Sequence, residues 1–226
     1  MIKYNLQLFG GRGSGSGGPS LGGGSGKPVN IISQTDVWSY RHRSGNEPFV
    51  DSMNTAIRGI QDSFPGIMNH VNVVNAVEMG GKDRTQTLGV YSSTAKTVGL
   101  NQNYTNVDKM NKTYDSAGDH HPSRGNKNAV EAVTAHEMGH AVTGMLAEKM
   151  GISDFDTAAK KIVDGAYKRS KGKGGTKAWA KKISGYATEN NAECIAEAIS
   201  DVYCNGSKAA KESRAIFSEC KRIQGG

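Results

Sequence analysis

The most constraining stretch of this chain lies between Ala129 and Met145. There Ala129, Val130, Val133, Met138, Ala141, Val142 and Met145 make a broad apolar face over about five turns. This predicts a long helix that ends before Gly151. Within it stands His136-Glu137-Met138-Gly139-His140. Two histidines four apart project within about 40° of each other on a helix, so their imidazoles can meet at one metal ion while the intervening Glu137 reaches the attacking water. Zinc suits such a pair, because it takes neutral nitrogen ligands and keeps an open position for catalysis. The bland alternative is a surface helix that happens to carry two histidines. Gly139 costs roughly 1 kcal/mol of helix propensity relative to Ala, and its missing side chain would let a third-ligand helix or a neighbouring loop come close.

The chain downstream offers a third ligand. Between Ile183 and Cys204 stand the acids Glu189, Glu193, Glu197 and Asp201 and no Lys or Arg. Glu193, Glu197 and Asp201 follow at i, i+4 and i+8, so three carboxylates share one helix face while Ile195, Ile199 and Val202 take another. Like charges so placed repel by a few tenths of a kcal/mol per pair, and a divalent cation would reverse that sign. Without a metal, Glu193 reads as the partner of Asn190 in a capping box.

The 30 glycines are unevenly spread, and ten of them fall in residues 1–28. A segment so rich in Gly and Ser cannot bury enough apolar surface to offset its ordering entropy. Residues 1–28 are therefore expected to be a flexible leader, and residues 29–226 one domain large enough for a core. No run approaches the roughly 18 apolar residues of a membrane span, and no secretory signal is recognised. Cys194, Cys204 and Cys220 are too few and too far apart for a disulfide framework, which favours a reducing compartment. The formal charge of +7 is concentrated in residues 158–182, where nine Lys or Arg face only Asp164. Only Tyr167 and Trp179 are available there for stacking, so a solvated helix face is expected rather than a nucleic-acid surface.

The element order follows from periodicity and punctuation. A helix is predicted over Phe49–Phe64, stopped by Pro65-Gly66, then strands at Val71–Met79, Leu88–Tyr91 and Val98–Leu100, with Ser92–Lys96 turning the second into the third. Tyr104–Asn126 is polar and without period, and reads as a loop; His120-His121 within it reads as solvated. After the long helix come helices near Asp154–Arg169, Thr176–Lys182, from about Asn190, and Ser207–Arg222. The fold class is α+β, with a small mixed or antiparallel sheet and a mainly helical C-terminal half.

Two separated segments resemble a known family. Tyr186-Ala-Thr-Glu-Asn-Asn-Ala-Glu193-Cys-Ile-Ala-Glu197 is similar to the third-ligand helix of zincin metallopeptidases of the anthrax lethal factor type, and His136-Glu-Met-Gly-His-Ala-Val142 is similar to their active-site helix. The resemblance implies a zincin-like fold, with the sheet packed on the active-site helix. It implies Zn2+ bound by His136, His140 and Glu193, Glu137 as general base, Tyr186 as oxyanion donor, and Glu197 orienting a ligand histidine. A rival register is similar to the thermolysin-type segment: Glu197-Ala-Ile-Ser-Asp201 would make Glu197 the third ligand, with Asp201 supporting a histidine. Tyr186 has a plain reading too, as an aromatic at the edge of the core.

The implied activity is a zinc metalloendopeptidase that hydrolyses a protein or peptide substrate, held along one strand of the Leu88–Leu100 hairpin. Residues 4–13, Tyr-Asn-Leu-Gln-Leu-Phe-Gly-Gly-Arg-Gly, resemble a terminal segment of phage and prophage head-morphogenesis proteins. That implies a phage or mobile-element origin, a host-cytoplasmic or virion-associated location, and a virion or head protein as possible partner. The alternative function is a head-associated structural or assembly protein that uses the zincin fold for binding.

Overall fold

The computed structural model describes residues 47–77, 85 and 87–226. The expected leader, residues 4–13 and the last two residues of the expected first strand lie outside these.

Helix α1, Glu47–Ser63, buries the stripe predicted for it: Phe49, Met53, Ala56, Ile57 and Ile60, with Phe64 just beyond. Pro65 follows, and Gly66 turns the chain at φ 86°, a backbone that side chains resist. Strands β1 (Val73–Val77), β2 (Gly89–Ser92) and β3 (Thr97–Asn101) form a mixed sheet in the order β1-β3-β2. β2 and β3 are the expected hairpin, antiparallel with Tyr91 opposite Val98, while β1 runs parallel to β3 with Val74 opposite Val98. β3 is central, and Val98 and Leu100 are fully buried.

The polar stretch read as a loop contains a helix, α2, Val107–Ser116. Asn106 caps it by accepting from the Lys109 amide at 2.9 Å, and only Met110 and Tyr114, one turn apart, are buried. Two apolar anchors in ten residues make too narrow a stripe to stand out from its polar surroundings, although they suffice once a core exists to receive them.

Helix α3, Ala129–Lys149, runs through the middle of the molecule and is buried on all sides from Ala129 to Thr143. Around it pack α1, α2, the sheet, α4 (Phe155–Arg169), α6 (Asn191–Asn205) and α7 (Lys211–Gly225); the short α5 (Thr176–Ala180) rests on α4. The last helix therefore begins and ends a few residues later than its sequence suggested. Apolar side chains from Phe49 to Cys220 join one core among the described residues. α6 is buried on nearly every face from Ala192 to Asp201, so its carboxylates lie inside the protein, whereas Val202 is only half-buried. None of the described helices is long and apolar enough to cross a membrane.

Candidate metal centre

The site is built where α3 meets α6. Gly139 is the point of closest approach: a Cβ placed there would lie 2.7 Å from the Ala196 Cα of α6. The glycine thus admits α6 rather than a loop. One turn before Ala196, Glu193 points back at the two histidines. Its Oε2 lies 3.1 Å from His136 Nε2 and 3.4 Å from His140 Nε2, and the two imidazoles are 5.0 Å apart at 81°.

These three buried ligand atoms lie within 4.8 Å of one another. Ligands about 2.0–2.1 Å from a tetrahedral ion sit roughly 3.3–3.4 Å apart, close to the measured His–Glu separations. His140 Nε2 and both Glu193 oxygens are buried, and beyond the His136–His140–Glu193 group itself they meet no hydrogen-bond partner. Buried polar atoms left so cost a few kcal/mol each, which a shared cation would offset. The residues therefore fit a divalent metal with nitrogen and oxygen ligands. Asn190 does cap α6, accepting from the Glu193 amide at 2.9 Å, but the Glu193 carboxylate faces the histidines and does not close a capping box.

Glu197 lies on the other side of His136. Its Oε1 is 2.8 Å from His136 Nδ1, and its Oε2 accepts from Ser184 Oγ at 2.7 Å. Burial pushes the Glu197 carboxyl upward, but His121 and His136 outweigh it and hold it at about 2. An ionised Glu197 accepts the Nδ1 proton of His136 and leaves Nε2 to face the metal position. Between the two registers, the geometry groups Glu193 with the histidines and puts Glu197 behind one of them. Asp201 is further away still: it accepts from Ser213 Oγ, the Ala210 amide and Asn205 Nδ2, and so ties α6 to α7.

Glu137 is buried between α3 and β2. A Cβ at Gly89 would lie 2.6 Å from its Oε1, so the strand can pass only because residue 89 has no side chain. Burial raises its carboxyl to about 7; His136 and His140 oppose the rise, and Glu193 and Glu197 add to it. Glu193 feels burial as well, but His140 and His136 bring it down to about 2. For His136, burial opposes the charged ring, yet hydrogen bonding to Glu193 and Glu197 prevails and lifts it to about 10.

Tyr186, on the turn Tyr186–Thr188, is buried with its ring centroid 6.1 Å from that of His136. Burial, then the Glu193 and Glu137 carboxylates, push its phenol well above the ordinary value, so the hydroxyl keeps its proton. Its ring thus lies beside that of His136.

Three residues of the site escape a reading of the sequence. Tyr91 of β2 stacks on His140, with centroids 6.3 Å apart at 16°. Ser184 and His121 both reach Glu197. The polar surroundings of His121 in the sequence suggest a solvated loop residue, yet its side chain is fully buried. It lies 76 positions from Glu197 in the chain, and no local pattern announces such a pairing.

The basic segment lies on α4, α5 and the loop between them, where Lys160 pairs with Asp164 and Arg169 with the buried Glu219. Scans of this chain against protein-family models, curated proteins and solved structures find no match.

Proposed function

We propose that the chain is a zinc-dependent metalloendopeptidase of the zincin type. The observation that carries this reading is the convergence of His136 Nε2, His140 Nε2 and Glu193 Oε2 in a buried group, with the Glu137 carboxyl beside it. A purely structural site would have no use for Glu137. Burying a carboxyl that makes no neutralising pair of its own is costly, and a carboxylate in this position could take and return a proton.

His136, His140 and Glu193 would hold zinc, which when bound would supply Lewis acidity toward a water and the scissile carbonyl. Glu137 accepts the proton of the attacking water on its carboxylate and passes it to the leaving amine. The Tyr186 hydroxyl donates to the oxygen on which charge develops. Glu197 keeps the His136 ring in the orientation and tautomer that ligation needs.

The sheet supports the same reading. β2 is one of the two edge strands of the described order β1-β3-β2. Gly89 and Tyr91, two apart and so on one face, lie against Glu137 and His140 respectively. An extended peptide added to β2 would run along the site, held by main-chain hydrogen bonds.

The test is metal content together with peptide hydrolysis. Wild type should hold about one zinc per chain and His136→Ala none. Glu137→Gln should keep the zinc and lose about 10²–10⁴-fold in hydrolysis. A Glu137→Gln protein that still cleaves protein substrates at the wild-type rate would end the reading.

A further inference from the structure

Glu197 is held by more than His136 and Ser184. The ring of His121 enters from the connection between α2 and α3, with its Nδ1 3.3 Å from Oε1 and 3.4 Å from Oε2 of Glu197. Carboxylate oxygens accept, so in this contact the ring nitrogen is the donor. The same ring packs edge-on against Tyr186, with centroids 5.6 Å apart at 65°. Tyr114 supports it from α2 at 5.3 Å, and the Tyr114 hydroxyl donates to the Pro122 carbonyl at 2.9 Å, which pins the next residue. The Gly185 amide donates to the Asp119 carbonyl at 2.9 Å, which joins this connection to the turn that carries Tyr186.

One imidazole therefore touches both supports of the site: the carboxylate that orients a ligand histidine, and the phenol assigned to the oxyanion. We propose that His121 is a positioning residue, holding Glu197 through its Nδ1 and Tyr186 through its ring. The Tyr186 half rests on the hydrolytic reading; the Glu197 half concerns metal binding alone and is decided without any substrate.

Two substitutions separate the halves. His121→Phe keeps a ring beside Tyr186 and removes the nitrogen. His121→Asn removes the ring and can place an amide N–H near the position of Nδ1. Zinc affinity, measured by competition with a chromogenic chelator, should fall about tenfold in His121→Phe and stay within about twofold of wild type in His121→Asn. At saturating zinc, kcat should fall about tenfold in His121→Asn with KM unchanged, and stay within about threefold in His121→Phe. In a Glu197→Gln background His121→Phe should cost no further affinity, because its effect passes through that carboxylate.

Wild-type zinc affinity in His121→Phe overturns the Glu197 half, and full kcat in His121→Asn overturns the Tyr186 half. Parallel losses of affinity, kcat and thermal stability in both variants would make His121 a packing residue and overturn the whole. If wild type hydrolyses nothing, the peptidase reading and the Tyr186 half fall together. The zinc titrations then still decide the Glu197 half.

Discussion

Gly139→Ala separates the stability of the fold from the geometry of the site. The added Cβ would lie 2.7 Å from the Ala196 Cα and 3.3 Å from its Cβ, whereas ordinary contacts begin at 3.4 Å. To restore ordinary contact the α3 and α6 backbones must then part by 3.4 − 2.7 = 0.7 Å. Overpacking of this kind costs about 1–3 kcal/mol, and Ala returns roughly 1 kcal/mol of helix propensity. The net loss of stability should be no more than about 2 kcal/mol. The site is less forgiving. Glu193 sits one turn from Ala196 and moves with it, so its separations of 3.1 and 3.4 Å from the histidine nitrogens would open toward 4 Å. Metal–ligand distances tolerate only about 0.2 Å, and a loss near 100-fold in zinc affinity, about 2.7 kcal/mol, is expected. The control is Gly144→Ala on the same helix, where a Cβ would meet only Tyr91 Oη at 3.6 Å and Phe155 Cε2 at 4.0 Å. It should gain up to about 1 kcal/mol and bind zinc as wild type does. Chelator competition gives the affinity, and urea unfolding of the zinc-free proteins gives the stability. Wild-type affinity in Gly139→Ala, or equal losses in both variants, would refute the argument that this contact sets the Glu193 position.

Other expectations follow from the same geometry. Glu193→Ala should nearly abolish zinc binding, while Glu197→Ala should weaken it about 10–100-fold; the reverse order in a chelator titration would restore the rival register. Gly89→Ala should displace the Glu137 carboxylate, whose Oε1 would lie 2.6 Å from the new Cβ, and cut hydrolysis by about 100-fold while zinc content stays unchanged. The zinc-free protein should be most stable near pH 4.5. Below that, the stabilisation from Glu193 and Glu197, held at about 2, is lost as they take up protons. Above it, the penalty for ionising buried Glu137 builds between pH 4.5 and about 7, and the stabilisation from His136 fades between pH 6.5 and about 10. A urea midpoint that is flat from pH 5 to 9 in the presence of a chelator would contradict these shifts.

Much of the architecture is legible along the chain because it is periodic. The stripe from Phe49 to Phe64, the hairpin and the long helix around His136 all announce themselves within a dozen residues, and each appears in the structure with its apolar face buried. α2 does not, since Met110 and Tyr114 are meaningful only against a core supplied by other elements. The direction in which β1 runs is equally hidden in the sequence. Its pairing with β3 depends on a crossover, which leaves no trace in the strand's own residues.

The sequence by itself determined which side chains could meet a metal from one helix: His136 and His140 at i and i+4, with Glu137 between them, follow from the 3.6-residue turn alone. It also narrowed the third ligand to a carboxylate face on a later helix. Only the tertiary structure decided among those carboxylates. They lie on one face, so periodicity treats Glu193 and Glu197 alike, and the choice falls to the crossing of α3 and α6. Gly139 against Ala196 sets that crossing, bringing Glu193 to the Nε2 atoms and leaving Glu197 on the far side of His136. His121, Ser184, Tyr91 and Gly89 belong to the same class of fact. Each acts through a contact between segments far apart in the chain, and such contacts exist only once the core has fixed how those segments pack.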